Sequence, residues 1–411
     1  MNTLICLLSG QPVPNLMSCA ALEPDKIVLV QTFRMKCQNV ADRFQNALKK
    51  MGILVDTEVV DVDPGEDNHF LFLKDFFRRE LLDAFSGDTF LLNLTGGTKP
   101  MSIALYQTFQ AHPKAKFYYF DFDSPCEIMD FIGGGSSDVG QIPLEAFLAG
   151  YGFKTVKSMK HIEAAENAAL ERAQTTKILA SCCNDPEFRI WKKSEDDEDE
   201  KASRDWLVEA MRHKTPSTLK EGLLHPSDPK IAQALADCFH LEQNADGTLS
   251  GTVNKYDVKY LDGGWLEEFI WLTLHHYERK YELGDLHLGQ VIQKEGSKTS
   301  NEQGQVIEKR PPQNEVDVSF MRNNTFHVWE CKTDFQEKLP LYLYKLYAVL
   351  GELKALGTRS SLISNCSIIT TDESKERAKL HSTKLIDAES IHNLAIDPEK
   401  ELEKIFNPSR S

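Results

Sequence analysis

Residues 314–333 read NEVDVSFMRNNTFHVWECKT, two runs with alternating apolar residues that meet at Asn323-Asn324. Asparagine tolerates the positive φ that a two-residue hairpin turn requires, so the stretch predicts a β-hairpin. In that register Asp317 lies directly across from Glu330. Two carboxylates in facing positions repel each other and weaken a hairpin, so the pair needs a compensating positive charge.

The side chains around this pair fit a metal site. Glu330 and Lys332 project from the same face of their strand because strand side chains alternate, and Asp317 reaches that face from the partner strand. A divalent cation between the carboxylates makes them ligands, and hard oxygen donors suit Mg²⁺ or Mn²⁺. Lys332 can orient or deprotonate a water, or stabilise charge that develops on a phosphate. The alternative is a set of exposed edge-strand charges with Lys332 as an ion-pair partner.

A third carboxylate precedes the hairpin, in the helix-forming stretch GGWLEEFIWLTLHHY at 263–277. At about 100° per residue, the apolar stripe of this helix places Glu267 at its edge and Glu268 roughly opposite, toward solvent. We therefore expect Glu267 to hold the metal directly or through a water. His275 and His276 lack further metal-ligand spacing, and we expect them at the surface or in packing.

The N-terminal region has a different pattern. Residues 1–145 alternate the strand-like runs TLICLL, KIVLVQ, TEVVDV, DTFLLNL and KFYYFDF with amphipathic helices. Continuous apolar strands between such helices predict a mostly parallel sheet covered on both faces, as in a Rossmann-like domain. The Gly-rich stretch at 131–143 predicts an exit loop.

Two further segments follow. Residues 146–244 are predicted to form a mainly helical connector, and the acidic run EDDEDE at 195–200 is predicted to be a solvated loop or linker. Residues 245–411 predict a second α/β domain. Its expected order is strands from 247–261, a helix, the hairpin, a long helix and another strand.

Two loops of the N-terminal domain suit an anion. The segment NLTGGTKPMS at 93–102 follows a buried strand and enters a helix whose first turn holds Pro100. Backbone N–H groups, hydroxyls and a lysine at a helix N-terminus favour negative charge. The loop SGQPVPNL at 9–16 leaves the first strand at the same carboxyl edge, where ligands of parallel sheets gather. Neither loop contains a Walker or GxGxxG motif, and an ordinary strand-to-helix turn is the alternative.

The composition of the chain limits the classes of protein to which it can belong. The chain has 411 residues, 41% of them hydrophobic, which suffices for two or three domains. Its apolar runs fall far short of the roughly 20 residues of a membrane helix, so no membrane association is expected. Nine cysteines without metal-ligand spacing favour reduced thiols in a cytoplasm. A net charge of −15 opposes nucleic-acid binding over the whole surface but permits a local site.

The two sets of residues resemble known families. Asp317, Glu330-x-Lys332 and the helical Glu267 resemble the PD-(D/E)xK restriction-endonuclease-like nucleases, although Val316 stands where many members have a proline. The loops at 9–16 and 93–102 resemble those of the CRISPR-associated Rossmann fold (CARF) sensor domain. A chain with both resembles the ancillary effector nucleases of type III CRISPR systems, which cyclic oligoadenylate activates. The resemblance covers roughly residues 1–145 and 245–370.

The resemblance implies a different function for each of the two domains. Asp317, Glu330 and Lys332 would cut DNA or RNA with Glu267 in support, and Mg²⁺ or Mn²⁺ would be bound by the three carboxylates. Similar sensor domains form two-fold homodimers around one cyclic ligand. Four phosphates fit that symmetry, so cyclic tetra-adenylate is the favoured activator, with cyclic hexa-adenylate as the alternative. The residues implied to contact the activator are Ser9, Gln11, Asn15, Thr95, Gly96, Gly97, Thr98 and Lys99.

Other functions stay open from the sequence. The chain could be a non-catalytic sensor or regulator whose C-terminal domain holds nucleic acid without cutting it. The N-terminal domain could degrade its own cyclic ligand, although its loops supply no evident general base. A dinucleotide oxidoreductase is disfavoured because the Gly-rich fingerprint is missing.

Overall fold

The structure is a computed structural model. It describes residues 1–121, 126–192, 197–212, 215–296, 298–300, 306–308, 313–333, 339–353, 358–365, 372–380 and 383–407. No helix in this part of the chain is long and apolar enough to cross a membrane. The cysteines described are all free thiols.

The N-terminal unit is a seven-stranded sheet with helices on both faces. Its elements are β1 (Asn2–Leu7), α1 (Val13–Leu22), β2 (Lys26–Gln31), α2 (Phe33–Cys37), α3 (Val40–Lys50), β3 (Asp56–Asp61), α4 (Phe70–Phe77), a π-helical stretch (Arg78–Asp83), β4 (Thr89–Asn93), α5 (Lys99–Phe109), β5 (Ala115–Phe120), β6 (Glu127–Asp130) and β7 (Ser136–Asp138). The strand order is β3-β2-β1-β4-β5-β6-β7. The first five strands are parallel, and β6 and β7 are antiparallel.

The predicted Rossmann-like sheet is therefore confirmed. In β1 the side chains of Leu4 and Cys6 enter one hydrophobic cluster, whereas Ile5 and Leu7 enter a second cluster on the opposite face. This alternation explains why the strand is apolar throughout. The prediction of a loop over 131–143 was wrong in part, because β7 adds an edge strand there.

The connector contributes helices and short strands. Its elements are α6 (Leu144–Gly150), β8 (Phe153–Thr155), α7 (Met159–Glu171), α8 (Ala173–Cys182), α9 (Asp197–Arg212), β9 (Ser217–Thr218), α10 (Pro229–Phe239) and β10 (Glu242–Gln243). The predicted acidic loop was wrong for residues 197–200, which form the first turn of α9. Residues 195–196 lie outside the described residues.

The C-terminal unit is built on a second sheet. Its elements are β11 (Leu249–Ser250), β12 (Thr252–Val253), α11 (Lys255–Lys259), a π-helical stretch (Tyr260–Gly264), α12 (Trp265–His276), β13 (Gly284–Lys294), β14 (Lys298–Ser300), β15 (Val306–Glu308), β16 (Gln313–Arg322), β17 (Thr325–Lys332), α13 (Leu339–Leu353), β18 (Thr358–Ser364), α14 (Asp372–Leu380), β19 (Thr383–Ile386), α15 (Ala388–Ile396) and α16 (Pro398–Phe406). The sheet order is β19-β18-β17-β16-β13-β8.

This unit confirms the predicted second α/β domain, with one correction. The strand predicted over 247–261 ends at Val253, and α11 follows because Asn254 and Asp257 form a reciprocal capping box. The ends of the predicted long helix (354–357) and of the predicted last strand (366–371) lie outside the described residues.

A continuous core joins the two sheets. β8 from the connector pairs with β13, while α6 packs against α3 of the first unit. One hydrophobic cluster includes Leu16 of α1, Phe147 of α6 and Phe326 of β17, and the rings of Phe147 and Phe326 lie 5.9 Å apart. The Tyr151 hydroxyl donates a hydrogen bond to Gln11 Oε1 at 2.8 Å. The first loop of the N-terminal unit thus contacts the segment that enters the second sheet.

Candidate functional site

The hairpin formed by β16 and β17 has the predicted turn. Asn323 and Asn324 both have positive φ, at 50° and 53°. The paired register runs from Arg322 opposite Thr325 to Val318 opposite Trp329. The same register, continued by one residue, places Asp317 opposite Glu330. Because β18 pairs with the other edge of β17, both acids lie on central strands and the edge-strand alternative is excluded.

Lys332 lies between the two carboxylates. Its Nζ is 2.6 Å from Glu330 Oε1 and 3.1 Å from Asp317 Oδ2. The backbone N–H of Cys331 also donates to Asp317 Oδ2, at 2.7 Å. Burial opposes the charge of the ammonium, but Asp317 and Glu330 outweigh it and raise the pKa of Lys332. In this structure the lysine supplies the positive charge that the facing acids need.

Glu267 is the first acid of α12, and its side chain is only 19% exposed. Burial, followed by the charge of Asp317, raises the pKa of Glu267 to about 8, against the opposing influence of Lys259 and Lys332. Lys259 Nζ lies 3.8 Å from Glu267 Oε2. Glu267, Lys259 and Lys332 line one cavity of about 680 Å³. The predicted site residues of this unit therefore lie together.

The two loops of the N-terminal unit also meet. They follow β1 and β4, which are parallel neighbours, so their carboxyl ends lie side by side. A Cβ added at Gly96 would lie 1.9 Å from the carbonyl oxygen of Leu7, so only glycine permits this approach. Thr98 caps α5 by accepting from Met101 N at 3.4 Å, and Pro100 lies in the first turn as predicted.

Comparison with known families decides what these units are. The family described as the Card1 CARF domain matches residues 3–132, and the family described as Card1-like, endonuclease domain, matches residues 254–399. The chain unites a CARF domain with a Card1-like endonuclease domain. None of the curated proteins compared matches it.

Solved structures share this fold over almost the whole chain. Can2 from Sulfobacillus thermosulfidooxidans, solved with cyclic tetra-adenylate, is 22% identical with a TM-score of 0.65, and the match covers 96% of this chain and 98% of Can2. Protein VC1899 from Vibrio cholerae is 17% identical with a TM-score of 0.72, and the match covers 97% of each chain. At these identities the likeness establishes the fold.

Asn15 is a buried link between the two loops of the CARF domain. Its side chain is 1% exposed. Its Nδ2 donates to Leu7 O at 3.0 Å, and its Oδ1 accepts from Asn93 Nδ2 at 2.8 Å. In this structure the amide of Asn15 holds the two loops together, and its contact with the activator stays a prediction. Asn93, which the sequence analysis missed, is its partner and is equally buried.

The other predicted residues of the CARF loops divide into two groups. Thr95 Oγ1 accepts from Phe120 N at 2.7 Å, and Thr98 Oγ1 donates to Asp67 O at 2.8 Å, so these hydroxyls hold the second loop. Lys99 is exposed. Ser9, Gln11 and Gly97 are half-buried at the same edge of the sheet.

Glu268 differs from its prediction in the endonuclease domain. It is 7% exposed and accepts from Arg172 Nε at 3.1 Å, with a second bond from the same guanidinium. The prediction that Glu268 faces solvent was wrong because α8 of the connector packs on that face of α12. The apolar stripe of α12 alone does not reveal that a connector helix packs on the face of Glu268. His275 and His276 are exposed, as predicted.

The acids form no recognisable metal cluster by geometry alone. Within the described residues, no group of three or more His, Cys, Asp and Glu side chains is arranged to hold a metal ion. The chemistry of Asp317, Glu330 and Glu267 nevertheless fits a hard divalent cation, since all three offer carboxylate oxygens in one partly buried site.

Glu267 leads to a prediction about stability and pH. Its pKa rises on folding from an ordinary value of 4.5 to about 8, so the folded protein binds more protons than the unfolded chain between these values. The free energy of unfolding therefore falls as pH rises through this window. We expect Glu267→Gln to gain stability relative to the parent over the same window, because its amide does not titrate.

Thermal unfolding across the window, in buffers without divalent cations, measures this difference. The exposed Glu389 on α15 supplies a control, and Glu389→Gln should follow the parent. Unfolding curves of Glu267→Gln that shift with pH in parallel with the parent would contradict the assignment.

Proposed function

We propose that this protein is a homodimeric, metal-dependent endonuclease that cyclic oligoadenylate activates in type III CRISPR defence, with DNA or RNA as substrate. The observation that carries the proposal lies in the Card1-like endonuclease domain, where Lys332 pairs with Asp317 and Glu330 and lines one cleft together with Glu267. The CARF domain on the same chain supports control by a ligand.

The activator would bind where the loops after β1 and β4 meet. This edge presents the N-terminus of α5 with the exposed Lys99, and both favour a phosphate. Can2, which shares the fold, was solved with cyclic tetra-adenylate. A four-phosphate ring has the two-fold symmetry of a homodimer, so we propose cyclic tetra-adenylate as the preferred activator.

Asp317, Glu330 and Glu267 would hold Mg²⁺ or Mn²⁺. Such an ion lowers the pKa of a bound water and offsets charge on a phosphoryl oxygen. Lys332 keeps its proton at neutral pH because both neighbouring acids favour its charged form. It would therefore stabilise the negative charge that develops on a phosphate.

A cleavage panel tests the proposal. The full-length protein is incubated with a supercoiled plasmid, single-stranded DNA or RNA, with and without each ring size of cyclic oligoadenylate. Each mixture is run with Mg²⁺, Mn²⁺ or EDTA. We expect cutting only when activator and metal are both present, and strongest with cyclic tetra-adenylate.

The same panel separates the alternatives. Cutting in EDTA at the rate seen with metal would overturn metal dependence. Salt-sensitive binding without any product would identify a non-catalytic sensor. Chromatography of the activator after long incubation would reveal a CARF domain that degrades its own ligand.

A further inference from the structure

The connector supplies one wall of the catalytic cavity. Phe188, Arg189, Ile190 and Trp191 line the same space as Glu267 and Lys332. We call these four residues the connector wall. They end at Trp191, whereas the match to the endonuclease family begins at residue 254. The cleft of the endonuclease domain is therefore completed by a segment that the family match does not include.

Backbone and side-chain bonds fix the connector wall in place. Arg189 N donates to Ser227 Oγ at 3.1 Å, and Ser227 N donates to Arg189 O at 3.0 Å. Trp191 Nε1 donates to the carbonyl of Leu261 at 3.1 Å, in the turn that leads into α12. The wall is thus attached both to the rest of the connector and to the helix that carries Glu267.

Within the described residues, three cationic side chains line the cavity, and they differ in their partners. Lys332 pairs with Asp317 and Glu330, and Lys259 lies within 4 Å of Glu267 and Glu315. Arg189 is bonded to none of these acids in the structure. Of these three cations, Arg189 is therefore the one that does not pair with an acid of the site.

The contacts of the Arg189 guanidinium are few. Nη1 donates to Glu187 O at 3.3 Å and lies 3.6 Å from Glu187 Oε2. The Glu187 side chain is 72% exposed, and an ion pair of this kind contributes little. Arg189 Nε is buried and has no hydrogen-bond partner within the described part of the chain. The Arg189 side chain as a whole is 34% exposed, so its guanidinium can exchange the weak pair with Glu187 for an anion in the cavity at little cost.

We infer that Arg189 is a phosphate-binding residue that positions the nucleic-acid strand against the catalytic carboxylates. The inference rests on the proposed function. A guanidinium offers a fork of donors that matches two phosphate oxygens. Phe188 and Trp191 pack against the core on the inner side of the wall and so hold the Arg189 backbone at the cavity. A strongly acidic chain needs such a local cation to bind a polyanion.

The test compares Arg189→Ala and Arg189→Lys with the parent, all full-length and saturated with cyclic tetra-adenylate. Arg279→Ala is the matched control, since it removes an exposed arginine in the turn that follows α12. We expect Arg189→Ala to raise KM about tenfold, the loss for one charged hydrogen-bonded contact, with kcat within about threefold of the parent. Arg189→Lys should recover part of the loss.

The salt dependence of binding separates a phosphate contact from a purely structural role, because the loss of a structural residue would leave it unchanged. In a Glu330→Gln background that binds without cutting, the slope of log affinity against log salt should fall by about 0.7 to 0.9 in Arg189→Ala. An unchanged KM and slope would overturn the inference while leaving the nuclease intact. A fall in kcat and melting temperature that lysine does not rescue would also overturn it. If the parent and Arg279→Ala neither bind nor cut any strand, the proposed function fails, and the role of Arg189 fails with it.

Discussion

Glu330→Gln should reduce activated cleavage by about 10³-fold or more. The glutamine keeps the shape of the side chain but removes one carboxylate from the site, so both the metal and Lys332 lose a charged partner. Metal-assisted catalysis contributes several kcal/mol of transition-state stabilisation, and about 4 kcal/mol corresponds to a factor of about 10³ in rate. Single-turnover cleavage with saturating activator measures the effect.

A matched control separates chemistry from folding in this experiment. Glu389→Gln makes the same substitution at an exposed position of α15 and should cut like the parent. Glu330→Gln should also bind cyclic tetra-adenylate as tightly as the parent, because the CARF loops are unchanged. If Glu330→Gln retains more than about a tenth of the parent rate, Glu330 is not a member of the catalytic set.

Gly96→Ala should abolish the response to the activator. The added Cβ would lie 1.9 Å from Leu7 O, and this carbonyl belongs to a strand paired on both sides, so it cannot move away. Relieving such a clash costs about 3 kcal/mol or more of loop distortion, which corresponds to at least about 100-fold weaker ligand binding. Calorimetric titration with cyclic tetra-adenylate measures the affinity directly.

Gly87→Ala is the control for this substitution, since Gly87 precedes β4 at the opposite end of that strand and a Cβ there has no heavy atom within 4 Å. It should bind the activator nearly as the parent does. Metal-dependent cleavage by Gly96→Ala at full activator response would show that the two loops do not form the activator site.

The parts of the site that depend on local pattern were predictable. The hairpin follows from period-two alternation and an Asn-Asn turn, and α5 follows from Thr98 and Pro100 at its start. The helix α11 was missed even though Asn254 and Asp257, its capping box, are visible in the sequence. In this segment the alternation of apolar residues predicts a strand, but the capping box starts a helix instead.

The parts that depend on packing between distant segments were not predictable. Glu268 is buried only because Arg172 and α8 pack against it, and no periodicity within α12 contains that information. The resemblance implies that Asn15 contacts the activator, but it does not reveal that the buried amide of Asn15 also joins the two loops through Leu7 and Asn93. The place of Arg189 in the cleft likewise depends on where the connector folds, which no local pattern around residue 189 reveals.

The continuous core that runs from α1 through α6 to β17 has a consequence for engineering. Sensor and nuclease here are not interchangeable modules, because a cut between them would expose Phe147 and Phe326 to water and remove β8 from the sheet that carries Asp317. A chimaera with a foreign sensor would have to retain this chain's own residues 144–155 and a matching surface for them. On heating, the two domains should melt together in one calorimetric transition.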